Sequence, residues 1–349
     1  MLVGKFHPLI MRNLSAVFLA ATILFISNSA VAQNPVDSIK VNGTTSIIDG
    51  EMHYHLKNGQ TLIYPKPRSF GFIRNLPGDA GGIVSSAFNK KSLKPWAVIA
   101  ATTGLLLLVD QPMLDGVREF SDNIGLQGHE KNYNVIIRPG GKEIALLRLP
   151  GNLNTAFYQL GQGFPSLVIG AGLYAYGKIH HDYRALSTAS QLAESFILMG
   201  VGTQIVKRIS GRESPSNATV TAGKWSPFPS FSQYQNNTPQ YDAFPSGHIA
   251  TMMSSITIFA QNYPEKRWIR PVGYSLMALV GYSMLNNEVH WASDYPLAIG
   301  MGFLCAKQVA KRNRRVVNKT SASQKKKGEF DFTLNYLAGT VAPGFTYRF

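Results

Sequence analysis

The sequence predicts a mainly α protein, a helical bundle of about six apolar helices with small β-hairpin segments at the N- and C-termini. Three observations carry this expectation. Apolar runs of helix length recur between residues 95 and 310. Pro95, Pro245 and Pro296 sit near the starts of such runs, where a missing N–H costs little. The two ends instead alternate apolar and polar residues, with Asn58-Gly59 as a turn signal near one end and Pro343-Gly344 as a break near the other.

Residues 1–32 read as an export signal. Lys5 and Arg12 precede the apolar core Leu14–Ile26, and Ala30-Val31-Ala32 supplies a small-x-small cleavage site. Residues 33–94 are a β-prone N-terminal segment and connector. A hairpin is expected within 51–64, and the Gly-rich stretch 69–94 reads as a connector with a short helix. Helices are expected at about 95–110, 152–180 with a break near Gly163-Phe164-Pro165, 186–208, 247–262, 267–286 and 293–310. Small-residue faces such as Gly170-Ala171-Gly172 and Gly200-Val201-Gly202 allow close helix contacts. The bundle thus spans 95–310, followed by a basic linker at 311–329 and a C-terminal β-hairpin at 330–349. Within the bundle, residues 209–244 form a long Ser-, Pro- and Asn-rich segment, either a lid or substrate wall or a passive surface loop.

Of the 349 residues, an excess of basic over acidic gives a net charge of +15. The stretch Lys307–Lys327 carries nine basic residues and no acidic one, and with Lys5 and Arg12 it accounts for most of that excess. The charge therefore belongs to a tail. No zinc spacing, P-loop or RNA-binding signature accompanies it, so no nucleic-acid partner is expected. A basic tail does suit an anionic membrane surface. The single cysteine, Cys305, lies in an apolar run, forms no internal disulfide and reads as a small buried hydrophobe.

Evidence on membrane insertion conflicts. Basic residues alternate between the runs as a six-span scheme requires, yet a cleaved signal inverts that scheme. The runs also hold Gln191, Glu194 and Gln204, and several fall short of about twenty clean apolar residues. The expected location is the cell envelope, either periplasmic or membrane-associated with a periplasm-facing site.

Three short blocks carry the chemistry. Lys207 to Pro215 comes first, Phe244-Pro245-Ser246-Gly247-His248 second, and His290-Trp291-Ala292-Ser293-Asp294 third, shortly after Ser283. Each lies at the end of an apolar run. His290 and Asp294 are four apart, so on a helix they share a face, and the carboxylate can fix the imidazole tautomer. His248 follows a turn that opens a helical run, where free N–H groups bind anions. It is placed to protonate a leaving alkoxide, while Lys207 neutralises a nonbridging oxygen. Taken singly, each block has a duller reading: a structural His–Asp pair, a helix start, a helix C-terminal cation. Their order is what favours phosphoryl transfer.

These blocks resemble the type-2 phosphatidic acid phosphatase and vanadium haloperoxidase superfamily, whose signature is Lys-x6-Arg-Pro, Pro-Ser-Gly-His and Ser-Arg-x5-His-x3-Asp. The match covers about residues 95–310. It implies a helical bundle whose catalytic blocks meet at one end, a phosphohistidine on His290, and His248 as acid. The phosphate-binding set carried over is Lys207, Ser246, Gly247 and Ser283. Two family arginines fall on Ser214 and Met284, which removes charge-assisted hydrogen bonds. Arg208 and Arg212 lie nearby, and Arg212 with Ser214 is taken to complete the phosphate site.

The expected function is that of a phosphatase acting on a phosphate monoester or pyrophosphate, a phosphorylated lipid being favoured over a small soluble ester. No metal or cofactor is expected. The competing readings are a silent phosphate- or lipid-binding relative and, with less support, a vanadate-dependent haloperoxidase.

Overall fold

The computed structural model describes residues 45–68, 70–126, 128–138, 143–318, 329–337 and 340–348. The export signal expected at 1–32 lies outside the described residues, as do most of the basic residues expected after 318.

Strands β1 (Thr45–Ile48), β2 (Glu51–His55) and β3 (Gln60–Tyr64) open the described chain. The β2–β3 hairpin turns at Asn58-Gly59. There Gly59 adopts φ 81°, and the Asn58 side chain accepts from the Gln60 N–H. Then follow α1 (Gly71–Ala87), α2 (Leu93–Leu107), α3 (Asp110–Asn123), the hairpin β4 (Asn132–Ile137) and β5 (Ile144–Pro150), α4 (Leu153–Leu160), α5 (Gly163–Ile179) and α6 (Tyr183–Ser210). After a long segment holding α7 (Phe231–Asn236) come α8 (Gly247–Asn262), α9 (Ile269–Asn286), α10 (Tyr295–Asn313) and the strands β6 (Arg315–Asn318), β7 (Glu329–Leu337) and β8 (Thr340–Arg348). The protein is mainly α, as the sequence predicts.

Several elements differ from expectation. The run expected at 95–110 ends at Leu107, and Asp110 begins a separate helix, α3, bent by 65° from α2. The β4–β5 hairpin was not foreseen. The first residues of the expected linker 311–329 are the end of α10 and then β6, which pairs with β3 and closes the sheet in the order β1-β2-β3-β6. At the C-terminus β7 and β8 pair, and β8 runs on through Pro343 and Gly344 rather than breaking there. Among the described residues no single helix is long and apolar enough to cross a membrane.

Helix α6 is the axis of the bundle. Its 28 residues span about 42 Å. Asp182 caps its N-terminus by accepting from Ala185 N–H, and also accepts from the Tyr54 hydroxyl of β2. Tyr64 of β3 is fully buried and donates to Asn262 at the end of α8. The sheet therefore closes the end of the bundle opposite Lys207. Polar residues on α6 face inward: Gln191 accepts from Asn262, and Ser195 bonds Ser254 of α8. These pairings explain why α6 is not a clean apolar run.

One buried polar group has an electrostatic consequence. Asp79 of α1 accepts from Arg312 and Gln308 of α10 through Oδ1, and Glu194 of α6 accepts from Asn313 through Oε2. Both carboxyls are fully buried, and Asp79 Oδ2 and Glu194 Oε1 meet no donor among the described residues. Burial, then the neighbouring Asp79, pushes the Glu194 pKa up to about 8. The folded state thus holds a proton that the unfolded chain releases above its ordinary value of 4.5. Stability should fall as pH rises from about 4.5 to 8. Glu194→Gln should flatten this dependence and raise the melting temperature at pH 8. An unchanged slope in thermal unfolding across pH 5–8.5 would contradict a proton held on Glu194.

Candidate active site

The site forms where the C-terminus of α6, the N-terminus of α8 and the start of α10 meet. Helix α6 stops at Gly211, which adopts φ 56° and ψ 42° and returns its N–H to the Lys207 carbonyl at 2.8 Å. A Cβ on Gly211 would lie 1.8 Å from the Ser226 carbonyl oxygen, so no other residue fits without moving backbone. This stop leaves Lys207 in the last turn and sends Arg212 directly into the interior.

Arg212 is fully buried and held by two carboxylates. Nη1 donates to Asp294 Oδ1 at 2.5 Å and to the Ser293 hydroxyl at 2.7 Å. Nη2 donates to Asp110 Oδ2 and to the Ala222 carbonyl, at 2.7 and 2.8 Å. The rings of Trp225 and Trp291 lie 4.9 and 5.4 Å from its guanidinium carbon. Its carbonyl accepts from Ala243 N–H, so the same residue also fixes the backbone leading into the second block. Burial pushes the Asp110 carboxyl up, against the pull of Ser293 and Arg212. The expectation that Arg212 clamps phosphate is corrected here: four of its five N–H groups face internal acceptors, and it has no exposed surface.

His290 is 2% exposed. Its Nδ1 lies 2.7 Å from the Ala243 carbonyl and 3.5 Å from Asp294 Oδ2. A carbonyl can only accept, so Nδ1 carries the proton and Nε2 keeps its lone pair. The two residues do not share a helix face, because Ala292–Asp294 is a 3₁₀ turn ahead of α10. Asp294 instead accepts from Trp291 N–H through Oδ2 and from Arg212 through Oδ1. The tautomer is set by Ala243, and Asp294 adds negative charge beside the same nitrogen.

His248 is the second residue of α8. Its ring centroid lies 6.1 Å from that of His290 and 4.8 Å from that of Tyr158 on α4. Gly161 passes beneath it, where a Cβ would come 2.9 Å from His248 Cβ and 2.6 Å from Val280. Among the described residues nothing accepts from the N–H groups of Gly247 or His248, which leaves at this helix start donors of the kind that bind anions. Lys207 is nearly buried, and its Nζ donates to the Asp242 carboxylate at 2.9 Å and carbonyl at 2.8 Å. Asp242 also accepts from the Tyr234 hydroxyl. Burial, then the His290 and Lys207 charges, lowers the His248 pKa to about 3.

The structure thus brings together His248, His290, Asp294, Lys207 and Gly247. Two other predicted residues turn to internal partners, and a third, Ser214, is nearly buried. Ser246 caps α8 by accepting from Ile249 N–H, and its own N–H donates to the Asp294 carbonyl. Ser283 is buried and donates to the Asn154 carbonyl. Ser214 is 4% exposed, with its N–H on the Pro239 carbonyl. Arg208 stacks on Tyr234, 4.2 Å from the ring. Met284 is fully buried in the apolar core.

Sequence reasoning missed Asp110, Ser293, Tyr158, Asp242 and the Ala243 carbonyl. Only Asp110 left a trace, as a lone acid directly after the apolar run Leu105–Val109. The segment 209–244 is a packed wall: Arg212 bridges to both Trp225 and Asp242, and Glu213 accepts from Thr219 and Lys224.

Two expectations follow from this geometry. Arg212→Ala should cost about 3–5 kcal/mol in urea unfolding, because it strands two buried carboxylates. Met284→Arg should likewise destabilise rather than restore a clamp, since it buries an unpaired charge. A stable Met284→Arg protein with tighter phosphate binding would reverse that view. For His248, an anion in the pocket opposes the charges that lower its pKa. Titration of its ring protons by NMR should therefore show a pKa well above 3 when vanadate is bound, and no upward shift would contradict an anion site beside it.

Residues 188–315 match the family model described as the PAP2 superfamily. Over 86 residues, 24% of this chain, the sequence is 33% identical to the lipid A 1-phosphatase of Porphyromonas gingivalis, and the match spans only 18% of that relative's length. Among solved structures, the crystal structure of a transmembrane PAP2 type phosphatidylglycerolphosphate phosphatase from Bacillus subtilis is similar at 17% identity. The likeness covers 69% of this chain and 94% of that one, with a TM-score of 0.31, at which the two backbones superpose poorly.

Proposed function

We propose that the chain, whose residues 188–315 match the PAP2 superfamily model, is a phosphatase that hydrolyses a phosphate monoester or pyrophosphate through a phosphohistidine on His290. The observation that carries this reading is the pairing of two imidazoles, 6.1 Å apart, at a helix start with free N–H groups. His290 Nε2, unprotonated because Nδ1 faces Ala243, attacks phosphorus. The bond from phosphorus to the ester oxygen breaks, and the leaving alkoxide takes the His248 proton. Neutral His248 then removes a proton from water, whose oxygen attacks the phosphohistidine. The bond to Nε2 breaks and phosphate leaves. The N–H groups of Gly247 and His248, with Lys207 beside them, hold the nonbridging oxygens. The chemistry is assigned to these side chains, with no metal and no cofactor.

A phosphorylated lipid is the favoured substrate class. The named activity of the curated relative is on a lipid. Apolar side chains also lie on the outside of the bundle, among them Val168, Ile169 and Ile179 of α5 and Val201 and Ile205 of α6. This suits association with a membrane in the cell envelope. A second reading, a silent phosphate-binding relative, is favoured by one observation. Lys207 is already neutralised by Asp242, and Arg212 is committed to Asp110 and Asp294. The haloperoxidase reading stays the weaker one, since the same missing arginines are those that hold vanadate.

Purified protein should release phosphate from a lipid phosphate and from a nitrophenyl ester, with chelator present and with vanadate as inhibitor. His290→Ala should abolish turnover and any acid-labile phosphoenzyme. His248→Ala should lose about 10²–10⁴-fold on an alkyl phosphate and less on the nitrophenyl ester. Full activity in His290→Ala, or activity that disappears on chelation and returns with a divalent ion, would overturn the mechanism. Vanadate binding without turnover would favour the silent relative.

A further inference from the structure

A second concave surface lies away from the histidines. It is an apolar groove of about 360 Å³ between α5, α6 and the residues Pro67, Arg68, Phe70 and Phe72. Its floor is made of small residues, Gly170, Ala171, Ala189 and Ala193, so the two helices leave a channel where larger side chains would close it. From Ser166 to Lys178 it follows α5 for about 18 Å. Ala193 and Leu186 on its α6 wall lie 14 and 21 residues before Lys207, about 21 and 31 Å along the helix. The groove is therefore separate from the catalytic pocket.

Its charge is one-sided. Arg68 and Lys178 both line it, and no acidic residue does. Both are exposed, and neither forms an ion pair among the described residues. Both also sit at the sheet end of the bundle. Arg68 follows β3 by four residues, and Lys178 lies in the last turn of α5, next to Gly177, which abuts Leu186. An apolar channel with two free cations at one end complements an amphiphile with an apolar tail and an anionic head.

We propose that this groove binds an anionic phospholipid, one acyl chain lying along α5 and α6 and the headgroup phosphate resting on Arg68 and Lys178. The site is an accessory one, and its occupant is not the molecule hydrolysed at His290.

The test uses the full chain in neutral detergent. Phosphatidylglycerol or phosphatidylcholine of identical acyl chains is added, and retained lipid is measured by native mass spectrometry. One phosphatidylglycerol should be retained about tenfold more tightly than phosphatidylcholine, since charge-assisted contacts distinguish the heads. The double variant Arg68→Glu, Lys178→Glu should lose that preference. Gly170→Leu should lose both lipids. A Cβ there meets no atom closer than 3.8 Å, so the new side chain enters the groove without parting the helices. Unchanged thermal unfolding in both variants shows that they fold. This readout does not depend on phosphatase activity, so it stands or falls separately from the proposed reaction. Equal retention of the two lipids, persistence of the preference in the charge-reversed protein, or undiminished binding in Gly170→Leu would each overturn the proposal. So would displacement of the lipid by soluble glycerol 3-phosphate, which would make the site one for a free phosphate ester.

Discussion

The ion pair network of Arg212 with Asp110 and Asp294 is the constraint on which the rest of the site depends. One guanidinium, fully buried, joins α3, the turn before α10 and the segment leaving α6. Three charges out of water are costly, and the cost is offset only because nearly every donor has a partner and the two tryptophans close around the cation. Removing any one member leaves the others stranded. The network therefore does not add stability so much as it selects one arrangement of three segments that share no sequence neighbourhood.

That arrangement sets the chemistry of the histidines. Arg212 accepts from Ala243 N–H through its carbonyl, and the Ala243 carbonyl in turn receives His290 Nδ1–H. The His290 tautomer is thus tied to the buried arginine through a single residue of backbone. Asp294, held by Arg212, returns its own carbonyl to Ser246 N–H and so fixes the start of α8, where His248 stands. Arg212, expected from the sequence to reach a ligand, instead holds this frame. Beside the two histidines stand backbone N–H groups without acceptors and Lys207, whose charge is shared with Asp242.

The two ends of the bundle do different work. At the histidine end, buried charges are paired. At the sheet end, Tyr54, Tyr64, Asp182 and Arg184 bind strands to helix termini, and Arg184 pairs with Glu265 at 2.7 Å. Between them, polar contacts such as Ser195 with Ser254 hold α6 to α8 without an unbroken apolar face. This interior polarity is why hydropathy alone describes the helices poorly: Gln191 and Glu194 look like interruptions and are in fact internal ties.

By itself the sequence determined what depends on short range. Period and length marked most of the helices, Asn58-Gly59 marked a hairpin, and Pro245-Ser246-Gly247 marked the helix start that carries His248. Reading the same short blocks also singled out His290 and Lys207 as candidates. Tertiary structure decided the partners. His290 and Asp294 are four apart, yet the 3₁₀ turn between them aims the carboxylate at Arg212 and Trp291 and leaves the imidazole to Ala243, 47 residues earlier. Asp110 meets Ser293 across 183 residues. Spacing along a chain fixes which side chains share a face only while the helix continues. Where it ends, hydrogen-bond satisfaction in the buried interior chooses among acceptors from anywhere in the fold, and that choice turned Arg212 from an expected phosphate clamp into a structural tie.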